Sequence, residues 1–172
     1  MMTCIVGIDP GLSGGLARLV DSVVTTMPTP VVKTARRRSG SKTALPDYDL
    51  ALMLGTLQLI NPDLVVLEQS RIQKPGMTSR ASVWMIGRGA GLWEMACAAL
   101  KLRMMIVAPQ IWKRQAGLLG QPKNAGLLRL KQWFPNQDWT GTKDGEWDAA
   151  LIAATAAGYR VGNAEPLDRG VA

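Results

Sequence analysis

A short apolar run, Ile5-Val6-Gly7-Ile8, ends in a carboxylate, Asp9, and a tight turn of Pro10, Gly11, Ser13, Gly14 and Gly15 follows at once. Residues of these types bend a chain sharply. The run reads as a buried strand, and Leu16, Leu19 and Val20 read as a strand returning beside it. Asp9 therefore sits where the first strand leaves the core. A carboxylate placed there is costly unless something pairs with it, and a metal ion is one such partner. The rest of the chain must accommodate that group.

The same pattern recurs. Leu64-Val65-Val66-Leu67 is apolar enough for a central strand, and it too ends in a carboxylate, Glu68. Residues 4–27 read as two or three strands with tight turns. A helical pattern runs from Asp47, a candidate cap, to Ile60, with Leu50, Met53, Leu54, Leu57 and Ile60 on one face. A second helix runs from Ser79 or Ala81 to Leu100, where the small residues Gly87, Ala90 and Gly91 would let another element approach. Residues 104–108 form another strand, and Pro109 opens a short helix. A further helix spans Lys123 to Trp133, and an alanine-rich one starts near Asp144. Strands first, then strands alternating with helices, describe an α/β domain. Its sheet is mixed, with antiparallel early strands and parallel later ones.

The last helix carries Asp144 and Asp148, which lie about 40° apart around a helix axis and so share a face. If the Asp9 and Glu68 strands are neighbours, this helix can bring its two acids over them. Four like charges in one pocket repel and would hold some members protonated. Divalent cations resolve this, and hard oxygen donors select Mg2+ or Mn2+. Two such ions about 4 Å apart are a standard means of hydrolysing a phosphodiester. Each acid alone has a plainer reading, as turn residue, helix cap or solvated strand end. The joint pattern carries the argument.

Composition narrows the chemistry further. The 172 residues include 20 basic and 13 acidic ones, a net charge of +7, which suits a polyanionic partner such as nucleic acid. There is no histidine, so histidine-based catalysis is excluded and the usual zinc sites are disfavoured. Cys4 and Cys97 lie in apolar surroundings and read as reduced core residues. With 47% apolar residues the chain can build a core. No apolar run is long enough to cross a bilayer, and the first residues lack a signal pattern. The expectation is a soluble protein of the bacterial or phage-infected cytoplasm, without a membrane or small-molecule partner.

Taken in order, "GIDPGLSGGLA" (7–17), "VVLEQ" (65–69), "PQIWKR" (109–114) and "KDGEWDAALIAA" (143–154) resemble the RuvC-type Holliday-junction resolvases of the RNase H-like superfamily. The pattern is most similar to the phage and organellar members. The resemblance implies an RNase H-like fold with a mixed five-stranded sheet flanked by helices. Residues 1–160 would form one nuclease domain with a basic loop at 28–46, and 161–172 a peripheral tail. It implies Asp9, Glu68 and Asp148 as ligands of two Mg2+ ions, with Mn2+ able to substitute. Asp144 would be the fourth carboxylate. Many bacterial members set the last two acids three apart; here the gap is four, so Glu146 stays open as the alternative. Lys113 matches a basic position near the scissile phosphate. The implied protein is a homodimer that nicks four-way junction DNA symmetrically.

Basic residues for phosphate contacts are Lys33, Arg36, Arg37, Arg38 and Lys42 in the first loop, Arg71, Lys74 and Arg80 after Glu68, and Lys113. The Arg36–Arg38 run has a plainer reading as a solvated loop, and Lys113 as a surface residue. Trp84 and Trp93 fit the core or a dimer contact better than base stacking. The competing functions are an RNA–DNA hybrid or flap nuclease on the same fold, an actin-like phosphotransferase, and a catalytically dead DNA-binding module. The phosphotransferase would need two lobes and a second phosphate loop, which the sequence does not offer.

Overall fold

The computed structural model describes residues 3–37, 44–70 and 80–161. The first three strands, β1 (Ile5–Asp9), β2 (Gly15–Val20) and β3 (Val23–Pro28), form an antiparallel meander. Asp21 and Ser22 join β2 to β3 with positive φ at both positions, the turn whose twist matches that of paired strands. Next come β4 (Val31–Arg37), β5 (Ala44–Tyr48), α1 (Leu50–Ile60), β6 (Leu64–Glu68) and α2 (Arg80–Ala99). The chain continues through β7 (Met104–Val107), α3 (Pro109–Gln115), α4 (Ala125–Trp133) and α5 (Asp144–Ala157). The main sheet has five strands in the order β3-β2-β1-β6-β7, with β1, β6 and β7 parallel. This is the mixed sheet expected.

Side-chain alternation assigns each strand residue to a face. Val6, Ile8, Val65 and Leu67 point to one side, where they pack with Met53 and Leu57 of α1 and Trp93 and Cys97 of α2. Ile5 and Val66 point to the other, toward Ala149, Ala150 and Ala153 of α5. Position 7 shares that second face. A Cβ on Gly7 would run into the Ala149 carbonyl and lie 2.6 Å from the Ala153 nitrogen. The backbone of α5 therefore rests directly on the centre of β1. The alanine-rich sequence of α5 serves the same purpose, since small side chains let a helix lie close to a sheet.

Several expectations change. Residues 28–46 are not a loop throughout: β4 and β5 pair as an antiparallel hairpin, from Val31↔Tyr48 to Arg37↔Ala44 with a register shift between. Its strand character was hidden because Val31, Val32 and Lys33 are all exposed, so no apolar face marks the period. The α1 cap is Asp49, whose carboxylate accepts the Leu52 N–H at 3.0 Å. Asp47 lies two residues too early for that role, inside β5, and instead pairs with Arg88 of α2. Leu50 and Leu54 are exposed, leaving Met53 and Leu57 as the buried stripe of α1. Within α2, a Cβ at Gly87 or Gly91 would meet nothing within 4 Å, so no element of the chain approaches there among the described residues. The close approach is at Gly89, where a Cβ would strike Tyr48 Oη and the Pro10 carbonyl. Cys97 is buried as expected, while Cys4, just ahead of β1, is only partly so; both thiols are free. Among the described residues no helix is long and apolar enough to cross a membrane.

This packing yields a stability prediction. Gly7→Ala should destabilise the protein by about 3 kcal/mol in urea unfolding, because its methyl group meets helix backbone that has nowhere to go. Gly91→Ala, in open space on a helix, should instead stabilise by about 0.5–1 kcal/mol.

Candidate active site

Because β1 and β6 run parallel with Ile8 opposite Leu67, Asp9 and Glu68 finish the two strands side by side. The carboxyl ends of neighbouring parallel strands are where open α/β sheets place their ligand sites. Alternation puts both side chains on the face that α5 covers. Asp148 precedes Ala149, whose carbonyl touches position 7, and so arrives over the same strand ends. Lys113 enters from α3, which begins directly after β7 because Pro109 occupies its first position.

The electrostatics show that these groups share one environment. Burial, then the neighbouring charges of Asp9 and Asp148, pushes the Glu68 carboxyl up to about 7, against the opposing pull of Lys113 and a hydrogen bond from Trp112. Burial likewise raises Asp148 to about 6; Lys113 opposes the rise, and Asp9 and Asp144 add to it. Asp9 is raised by burial too, although the Gly11 N–H donates to its Oδ1 at 3.3 Å and Lys113 also holds it down. Three desolvated carboxylates, of which Asp9 raises the other two, with one ammonium beside all three among the described residues, form a site short of positive charge. No three acids stand close enough together to hold one ion in this arrangement, among the described residues. The donor set, hard oxygens only, suits Mg2+ or Mn2+.

The other expected residues fall into distinct places. Asp144 opens α5, is partly exposed and forms an ion pair with Lys123; its charge still reaches Asp148. Glu146 is buried away from the other acids: its Oε2 accepts the Lys143 N–H at 3.1 Å and its Oε1 the Thr26 hydroxyl at 3.0 Å. It caps α5 and ties it to β3. Lys33 is exposed on β4. Arg36 and Arg37 close β4 and Arg80 opens α2, with side chains outside the described residues, where Arg38, Lys42, Arg71 and Lys74 also lie. Trp93 is fully buried, whereas Trp84 is 54% exposed with the Arg88 guanidinium 5.5 Å above its ring. Trp84 is thus not a core residue of this chain.

Two neighbours of the site had no signal in the sequence. Trp112 Nε1 donates to Glu68 Oε2 at 3.1 Å, and the Lys113 ammonium lies 5.0 Å from the Trp112 ring centre. Tyr48, the last residue of β5, donates its hydroxyl toward the carbonyls of Pro10, at 3.1 Å, and Met85, at 3.0 Å. It links the turn after Asp9 to α2. Neither contact follows from a periodicity, since each joins residues far apart in the chain.

The raised acids predict a pH dependence. A carboxyl whose folded value lies above its unfolded one stabilises the fold at low pH, and that contribution is lost as pH rises through the folded value. For Glu68 that loss falls between about pH 4.5 and 7. In metal-free buffer Glu68→Gln should match the wild type in urea unfolding at pH 4 and exceed it at pH 8.

No family model matches the chain, and no curated protein matches it in sequence. Solved structures do. Thermus thermophilus RuvC in complex with a Holliday junction substrate aligns over 89% of this chain and 91% of that one, at 17% identity and a TM-score of 0.60. Another T. thermophilus RuvC structure aligns over 92% and 98%, at 14% identity and 0.56. The yeast mitochondrial Holliday junction resolvase Ydc2 aligns over 88% and 76%, at 14% identity and 0.45. At such identities the likeness is one of architecture, and the chain has the RuvC-type, RNase H-like fold.

Proposed function

We propose that this protein is a divalent-metal-dependent endonuclease that resolves four-way DNA junctions, acting as a homodimer through paired symmetric nicks. The observation that carries this reading is the convergence of Asp9, Glu68 and Asp148 at the carboxyl ends of two parallel strands, each desolvated, with Glu68 and Asp148 both raised by the Asp9 charge. The fold adds support, since a RuvC of the same architecture is known in complex with a Holliday junction. The net charge of +7 suits a DNA partner.

Asp9, Glu68 and Asp148 would hold the cations, with Asp144 at the outer edge and Mg2+ or Mn2+ the ions that suit the donors. Bound there, such ions polarise the phosphodiester and acidify the attacking water. The chain's own residues do the rest. Asp9 is tethered by the Gly11 N–H, and Glu68 by the Trp112 indole, so neither carboxylate is free to swing. Lys113 keeps positive charge beside all three acids, where it also suits the negative charge that builds on a cleaved phosphate. Lys123 engages Asp144 and leaves Asp148 as the α5 acid facing the strands.

Asp9→Asn should lower cleavage of a synthetic four-way junction by about 10^3-fold or more while preserving or tightening junction binding, because it removes a repelling charge. The assay compares junction, linear duplex, flap and RNA–DNA hybrid, with and without Mg2+. Paired nicks in the junction alone support the proposal. Preferential cutting of hybrid or flap would keep the acidic site and move the function to another nuclease of this fold. Replacing Arg36, Arg37 and Arg38 together with alanine should weaken junction binding and reduce its salt slope by about three; an unchanged slope would place these arginines off the DNA.

A further inference from the structure

We infer that Trp112 is a positioning residue for the acidic site: its indole fixes Glu68 through the N–H and holds Lys113 against its ring face. This inference rests on the reading of Glu68 as a cation ligand. The register of the sheet sets it up. Glu68 pairs with Val107, the last residue of β7, and the Gln69 N–H donates to the Val107 carbonyl at 2.8 Å. The chain turns into α3 two residues later, at Pro109, and the first helical turn carries residue 112 back over the end of β6. Trp112 is 1% exposed there, and its ring packs in the same apolar cluster as Val66 and Ala149.

The chemistry of the contact is one-sided. An indole N–H only donates, so it stabilises an acceptor oxygen and fixes the carboxylate's rotation. It engages Oε2 and, among the described residues, no other donor reaches the Glu68 carboxylate, which leaves Oε1 open to a cation. The fold does not require buried indoles to find such partners: Trp93 Nε1 and Trp139 Nε1 are buried without one, and Trp147 Nε1 uses the Thr142 hydroxyl. Among the described residues, position 112 is where an indole donor is aimed at a carboxylate of the site. Its ring face meets the ammonium of the next residue, Lys113, at 5.0 Å, within the range of a cation–π contact. One rigid side chain thus aligns the acid that would bind the cation and the base that balances its charge. Partners of this kind typically change metal affinity by about 10–100-fold when removed.

Trp112→Phe keeps a ring face for Lys113 and removes the N–H. Mn2+ binding, followed by electron paramagnetic resonance on the DNA-free protein, should weaken by about tenfold, with metal-free junction affinity unchanged. In a Glu68→Ala background the same substitution should cost nothing further, since the acceptor is already gone. Benzothienylalanine at position 112, which keeps the bicyclic shape without the N–H, should reproduce the Trp112→Phe result should that variant fold poorly. Unchanged Mn2+ affinity in either variant would overturn the inference, as would an additive loss in the double variant, which would mark a general packing role. A wild-type protein that binds no Mn2+ would overturn both this inference and the proposed function. Mn2+ binding with the expected losses, but no junction cleavage, would keep the inference and sink the resolvase reading alone.

Discussion

The contact between α5 and the middle of β1 is the constraint on which the rest of the site depends. Gly7 has no side chain, and the backbone of Ala149 and Ala153 fills the place where one would go. A helix held at that distance cannot slide or rotate without striking the strand. Asp148 is the residue before Ala149, so its position over the strand ends is fixed by the same contact. The far side of the sheet is held differently. There Val6, Ile8, Val65 and Leu67 meet α1 and α2 through larger side chains, and Gly89 lets α2 settle against Tyr48 and the turn after Asp9.

That rigidity has an electrostatic consequence. Asp9, Glu68 and Asp148 are desolvated together, and among the described residues Lys113, with Lys123 at the edge, is the cation that balances them. Carboxylates in such a setting hold their protons toward neutral pH. The packing that brings them together therefore disfavours their ionised forms, and under the proposed function a divalent cation would offset that cost. Pre-organised, under-neutralised acids are what the proposed nuclease would need at a site that takes up cations and a phosphate together.

Glu146 and Asp144 illustrate how the environment divides similar residues. Both lie in the first turn of α5, yet one is buried with both oxygens occupied and the other is partly exposed beside Lys123. The first turn of a helix favours acids in general because its N–H groups are unpaired. Glu146 answers that need, while Asp144 pairs with Lys123 and Asp148, one turn on, is left to face the strands. Trp112 shows the same division among aromatic residues, since the Trp93 and Trp139 indoles are buried with no partner for their N–H.

Much of this was written into the chain locally. Apolar runs ending in Asp9 and Glu68 gave two strands with acids at their ends, and the spacing of Asp144 and Asp148 put both on one helix face. These are short-range patterns, and hydrophobic periodicity reports them well. The β4–β5 hairpin was illegible because its exposed faces carry no such period, and Asp47 read as a cap because a nearby aspartate, Asp49, held the true position. The tertiary structure alone decided that β6 lies beside β1, that the α5 backbone would rest on Gly7, and that Tyr48 and Trp112 would bind the turn after Asp9 and the Glu68 carboxylate. Those contacts join residues dozens of positions apart. Their geometry depends on the whole sheet's register, a property no single segment of sequence contains.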